Sequence, residues 1–312
     1  MGELEKKELS REVTGIIEVL RQVKAASQGV ELTAEMIPSQ REQFDRMSES
    51  NPIGEGITVE HVSVGGQAAE FYHYDADDQK QEEHILLYFH GGAFMNGSVF
   101  SRRFLASNLA SFGKVDAVSV EYTQWPEGRH PIALEESVKV FHALEEMGYP
   151  AKNIYVAGES AGATLALALT HWLKNHGEDL PAKIVAISPV IDLAEEYPSR
   201  RERADRDPLV EANISEIIRC YFDGCDYKDP YISVKYGDFT GFPETFITVG
   251  TEEVLYDDAI DLHKIMDEAG VPNQIRIYDG LFHAFQMIPS PESMESIKEL
   301  GDFLRADCAE RT

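Results

Sequence analysis

Nothing in this 312-residue chain is long and apolar enough to cross a bilayer. Its apolar runs, such as Ile85–Phe89, fall far short of the roughly 20 residues a spanning helix needs. Met1–Lys7 has no apolar h-region, so no signal peptide is expected, and Lys6 stands where a myristoylation motif requires Ser or Thr. Cysteine is scarce. Cys220, Cys225 and Cys308 suit free thiols in a reducing compartment, and no companion ligands complete a zinc site around the first two. Basic residues are also few, 28 against 55 acidic, for a net charge of −27. Such a surface repels nucleic acid and anionic membranes. The charge suits an acidic cytoplasmic protein, although a salt-adapted one would share it. What remains, 43% hydrophobic and 27% charged residues, is ordinary globular composition, and a core of this size needs no metal or disulfide to close it.

The first fifty residues read as helix. Val13, Ile16, Ile17, Leu20 and Val23 recur at helical spacing, and Ser39–Met47 forms a second, shorter segment. Strands are expected over Ile57–Ser63 and Ala68–Tyr74, followed by a polar loop. The rhythm then becomes strand, glycine turn, helix. Strand-like runs fall at Ile85–His90, Ala117–Tyr122, Ile154–Ala157, Ile184–Ser188, Thr245–Val249 and Gln274–Tyr278. Helical stretches separate most of them, among them Ala133–Met147, Ala161–Asn175, Tyr256–Ala269 and Glu292–Phe303. Apolar strands alternating with helices predict an α/β fold, a mostly parallel sheet covered on both faces. Glu195–Lys228 is charged, reads as helical and is too long for an ordinary connection, as lids and binding elements are. The expected organisation is an N-terminal helical cap segment over 1–50 and a catalytic domain over 51–312, with a cap insertion near 195–228.

Gly158-Glu159-Ser160-Ala161-Gly162 matches G-x-S-x-G between an apolar strand and an Ala/Leu-rich helix. That context is what a nucleophile elbow requires: the serine sits on a strained turn, the flanking glycines relieve crowding, and the helix points its positive end at the site. Upstream, His90-Gly91-Gly92-Ala93 follows another apolar strand. Paired glycines let the backbone approach a substrate closely, so Gly91, Gly92 and Ala161 are the expected oxyanion donors. No nucleotide-loop pattern is present there, and His90 suits fixing the loop better than acting as a base.

With a nucleophile elbow the chain order is Ser, acid, His. His283, in a loop just past the last expected strand, is placed to serve as general base. The acid should follow the strand Thr245–Val249, where Glu252, Glu253, Asp257 and Asp258 compete. Residue chemistry does not separate them.

Together these motifs resemble the hormone-sensitive-lipase-like family of α/β-hydrolase esterases and lipases, its bacterial branch especially, over residues from about 60 to 305. The family's H-G-G-G loop corresponds to His90–Ala93, its G-[DE]-S-A-G elbow to Gly158–Gly162, and its S-P-x-x-D-L segment to Ser188–Leu193. Its D-Y-R-L-A-P-E tract is echoed by Glu121–Glu127. The resemblance implies a Ser160–Glu253–His283 triad, since Glu253 takes the place of the aspartate in the family's D-x-L segment, with Glu252 and Asp257 as alternatives. It also implies hydrolysis of short- to medium-chain acyl esters, no cofactor, no metal, a supporting role for Asp192, and a quaternary state in which a homodimer is one option. A non-catalytic binder on the same scaffold, or a hydrolase of lactones, amides or carbamates, are the competing expectations. Phe94, Met95 and Trp125 are candidates to line the pocket, or simply to pack in the core.

Overall fold

Each central strand divides its side chains between two separate cores. Ile85, Leu87 and Phe89 enter one apolar cluster while Leu86 and Tyr88 enter the other, and Val156 and Ala157, or Ile184 and Val185, split in the same way. A strand's period of two produces this division whenever both faces are covered. The computed structural model describes residues 8–27, 32–76, 80, 81 and 83–306; Met1–Lys7 and Cys308 lie outside them.

The elements are α1 (Arg11–Ser27), α2 (Ile37–Ser48), β1 (Ile57–Val64), β2 (Gln67–Tyr74), β3 (Ile85–Phe89), α3 (Arg103–Gly113), β4 (Asp116–Val120), α4 (Ile132–Glu146), β5 (Ile154–Glu159) and α5 (Ala161–His176). They continue with β6 (Lys183–Ile187), α6 (Pro198–Glu202), α7 (Ile214–Arg219), β7 (Glu244–Gly250), α8 (Tyr256–Glu268), β8 (Asn273–Tyr278) and α9 (Pro291–Arg305). The eight strands form one sheet in the order β1-β2-β4-β3-β5-β6-β7-β8. β1 and β2 join antiparallel, and every pairing from β4 to β8 is parallel. Helices α4, α5 and α8 cover one face, α3 and α9 the other. This is the expected α/β architecture.

Helix α3 was not singled out in the sequence because Ser107, Asn108 and Ser111 dilute its apolar pattern. Two of them are buried for a reason: the Ser107 hydroxyl accepts the Gly54 amide, and the Asn108 side chain bonds back to the Phe104 carbonyl. The insertion over 195–228 is less helical than its charge pattern suggested. It holds only α6 and α7 and otherwise runs as turns, since Pro208 and Gly224 interrupt longer helices. In α1, Val13 is buried and Ile16, Ile17 and Leu20 pack with Leu281, Phe282 and Phe285, but Val23 is 54% exposed. The apolar contact ends one turn early, where Lys24 instead reaches the backbone of the insertion. Among the described residues no helix is long and apolar enough to cross a membrane.

Candidate active site

Parallel strands of the sheet deliver the candidate residues from their C-terminal ends, where open α/β sheets bind ligands. His90–Ala93 follow β3, Ser160 follows β5, Glu253 follows β7 and His283 follows β8. Ser188, after β6, completes the row.

Ser160 has φ 55° and ψ −123°, a conformation that non-glycine residues occupy only under constraint. Its amide donates to the Ile187 carbonyl at 2.8 Å, which ties the turn to the next strand. A Cβ at Gly162 would overlap the Phe89 carbonyl, and one at Gly158 would overlap the Gly162 backbone. Both glycines are therefore required by the close passage of strand and helix. Helix α5 starts at Ala161, whose amide has no carbonyl one turn back to bond, so the positive helix end faces the serine.

The loop after β3 is built around a carboxylate that the sequence analysis passed over. Glu159, beside the serine and 1% exposed, accepts the Gly91 amide at 2.6 Å, the Arg102 guanidinium at 2.7 Å and the Tyr88 hydroxyl. The signal was an acidic residue in an otherwise apolar buried strand end. Its consequence is that the Gly91 amide, one of the expected oxyanion donors, is hydrogen-bonded to Glu159. Among the described residues the amides of Gly92 and Ala93 meet no protein acceptor. Gly92, with φ 122°, and Ala93, with φ 58°, turn the chain so that these amides follow one another along the loop.

His90 is fully buried, bonds through Nδ1 to the Gly91 carbonyl at 2.8 Å, and stacks on Tyr122 at 4.5 Å. The Tyr122 hydroxyl donates to the His90 carbonyl. Helix α2 braces the far end of the loop, with the Arg41 guanidinium donating to the Met95 and Trp125 carbonyls and pairing bidentately with Glu127.

Of the competing carboxylates, Glu253 is the one that reaches the His283 ring, Oε2 to Nδ1 at 3.2 Å. Glu253 is fully buried and its other oxygen accepts the Gly250 amide at 2.6 Å and the Ser188 hydroxyl at 2.8 Å. Ser188 in turn accepts the Ala284 amide at 3.1 Å, so it links the acid to the histidine loop. Glu252 pairs with Arg206, Asp257 accepts the Ser199 amide, and Asp258 pairs with the buried Arg200. Asp192 is buried, accepts the Ala194 and Glu195 amides and pairs with Lys235 at 3.2 Å, holding the base of the insertion. Burial of the His283 ring pushes its pKa down, but the Glu253 hydrogen bond and the charges of Glu253, Asp207 and Glu159 outweigh it, so the pKa lies above the ordinary histidine value.

Ser160, His283, Gly92 and Ala93 line a mainly apolar cavity of about 220 Å³. Its walls come from both segments outside the sheet domain: Leu32 and Phe44 from the N-terminal part, Leu209, Val210, Ile214 and Ile217 from the insertion. Met95 lines it too, whereas Phe94 packs between Tyr221 and Phe222 and Trp125 packs against the core. Among the described residues no cluster of His, Cys, Asp or Glu has the arrangement of a metal site, and Cys220 and Cys225 are free thiols.

Residues 86–287 match the model of an alpha/beta hydrolase fold family, Abhydrolase_3. The chain is 34% identical to an acetyl-hydrolase of Streptomyces hygroscopicus over 88% of its own length and 91% of the relative's. It is 30% identical to an esterase of Acinetobacter venetianus over 84% and 86%. Among solved structures, an esterase from the bacterial hormone-sensitive lipase family superposes with a TM-score of 0.87 at 28% identity, covering 97% of this chain and 100% of that one. The esterase EstE5, soaked with p-nitrophenyl butyrate, gives 0.87 at 29% identity over 95% and 98%. On this family match and these similarities in sequence and structure, the chain belongs to the α/β-hydrolase fold family, as a carboxylic ester hydrolase of the bacterial hormone-sensitive-lipase group.

Proposed function

We propose that this protein is a serine carboxylesterase that cleaves short- to medium-chain acyl esters through a covalent acyl-enzyme, with Ser160 as nucleophile, His283 as general base and Glu253 as the orienting acid. The observation that carries the reading is the buried Glu253–His283 pair, opening onto the same cavity as a serine held in a strained elbow. Glu253 engages Nδ1, which leaves Nε2 as the nitrogen that takes the Ser160 proton. The Ser160 oxygen then bonds to the ester carbonyl carbon, and the developing oxyanion is held by the amides of Gly92, Ala93 and Ala161. His283 returns the proton to the departing alcohol as the C–O bond breaks. Water, activated by the same histidine, releases the acid. Gly91 has a different part in this scheme: through Glu159 it anchors the loop that presents the donors.

Cavity size supports the chain-length reading. An engineered cavity of about 150 Å³ admits benzene, so about 220 Å³ accommodates on the order of nine carbon atoms shared between acyl and alcohol groups. That fits butyrate or hexanoate esters and excludes a palmitoyl chain without movement of the walls. We read α1, α2 and the 195–228 insertion as the cap over this cavity, since residues from both segments form its walls. A relative soaked with p-nitrophenyl butyrate makes the p-nitrophenyl ester series the natural substrate set. Hydrolysis of acetate through palmitate esters by wild type should peak at short to medium chains, and Ser160→Ala should lose roughly 10⁶ in kcat. A wild type inert on every ester, or a mutant with full activity, would overturn the assignment.

A further inference from the structure

The insertion does more than wall the cavity. Its residues 206 and 207 hold the loop that carries Glu253, one on each side of it. The Arg206 guanidinium pairs with Glu252, and Asp207 Oδ2 accepts the Val254 amide at 3.1 Å. Asp207 is 1% exposed, and its other oxygen accepts the amides of Leu209 at 3.0 Å and Val210 at 3.1 Å, two residues that line the cavity. From the opposite side Lys24 of α1 donates to the carbonyls of Ala204, Asp207 and Val210 at 2.8, 2.7 and 2.7 Å. One buried carboxylate therefore joins the cavity wall to the acid loop, and one lysine of the N-terminal helix holds that segment in place.

We propose that Asp207 is a positioning residue for the Glu253–His283 pair, acting from the cap by fixing the acid loop and by adding a second buried carboxylate beside the histidine. The proposal rests on the triad reading above. A carboxylate that accepts three amides at once needs no proton to be satisfied, so it stays available as a negative charge. The charged groups facing His283 are Glu253 from the loop after β7, Asp207 from the insertion and Glu159 from the elbow, the last paired with Arg102. The charged groups around Asp207 are His283, Glu253 and, at its backbone carbonyl, Lys24. Burial and the Glu253 charge hold the Asp207 carboxyl above its ordinary value, with His283 and the Leu209 and Val210 amide bonds acting in the opposite direction. Because Glu159 is paired with a guanidinium while the Asp207 carboxylate, among the described residues, is bonded by amides alone, Asp207 is the second carboxylate whose loss His283 should feel most.

The test is the pH dependence of kcat/KM on p-nitrophenyl butyrate for wild type, Asp207→Asn, Asp207→Glu and Ser160→Ala. Asp207→Asn should move the acid limb to lower pH by about 0.5–1 unit, because the imidazolium loses a stabilising charge. Its plateau should fall by about 10–100-fold, because an amide cannot accept all three N–H groups and the acid loop shifts. Asp207→Glu, which keeps the charge, should leave the limb at its wild-type position even if the plateau falls. An Asp207→Asn limb that does not move overturns the proposal, as does a limb that moves equally in Asp207→Glu. If Asp207→Asn does not fold, Asp207→Ser is read in the same way. Failure of both to fold overturns the proposal by making Asp207 a folding residue. An inactive wild type, or an active Ser160→Ala, would instead remove the triad reading.

Discussion

The carboxylate of Glu159 connects the Ser160 turn to the loop after β3, the proposed oxyanion loop, and replacing it with glutamine tests that connection. The side chain is 1% exposed and its main partner, the Arg102 side chain, 9% exposed, so solvent screens the pair little. The Gly91 amide and the Arg102 guanidinium share one Glu159 oxygen and the Tyr88 hydroxyl meets the other, so glutamine that keeps its oxygen toward Gly91 turns its NH₂ to Tyr88 and leaves Arg102 without a counter-charge. Removing one partner from a buried pair costs about 3–5 kcal/mol, and the retained acceptor places this variant near the lower figure. Unfolding entropy of about 2.1 cal/mol/K per residue gives roughly 0.65 kcal/mol/K for 312 residues, so about 3 kcal/mol lowers Tm by about 5 °C. The catalytic cost is separate. A neutral amide oxygen holds the Gly91 N–H less firmly than the carboxylate, so the Gly92 and Ala93 amides, the proposed oxyanion donors, should shift, and loss of one such donor costs about 10²–10³ in kcat. Thermal unfolding by circular dichroism and kcat on p-nitrophenyl butyrate, both for Glu159→Gln, decide the matter. A lower Tm with wild-type kcat would refute the link between Glu159 and the oxyanion loop. An unchanged Tm would refute the pair energetics as well.

The proposed mechanism needs His283 neutral, and its pKa is raised by Glu253 and the neighbouring carboxylates against the opposing effect of burial. The acid limb of kcat/KM in wild type should therefore lie above the ordinary histidine value of about 6.5, with activity rising as pH climbs through it; a limb below that value would contradict the electrostatics. Arg200 is fully buried against Asp258, the Asp192 carbonyl and the Ser215 hydroxyl at the base of the insertion. Arg200→Met should cost about 3–5 kcal/mol in urea unfolding, and adding Asp258→Leu should recover much of it, because the cost comes from the orphaned charge.

The same reasoning separates what is local from what is not. Sheet class, the strand–turn–helix around Ser160, the glycine loop after β3 and the loop position of His283 are legible in the sequence because each is a constraint on consecutive residues. A serine at φ 55° needs small neighbours two residues to either side, and they stand there as Gly158 and Gly162. Residue chemistry left four carboxylates open after β7, and resemblance favoured Glu253. The fold shows a physical reason: only Glu253 turns inward to the Gly250 amide, to Ser188 from another strand and to the His283 ring. The hydrogen bond from the Gly91 amide to Glu159 was not legible in the sequence, because the two residues lie 68 positions apart. Asp207 and Lys24 were invisible for the same reason, since their partners lie 47 residues away for Val254 and 180 to 186 for the insertion carbonyls. The sequence by itself determined the backbone geometry at Ser160 and the class of the sheet, because short-range sterics and apolar periodicity are written in neighbouring residues. Only the tertiary structure decided which carboxylate faces the histidine and which amides remain free, because buried polar groups are satisfied by whatever partners the packed chain brings to them.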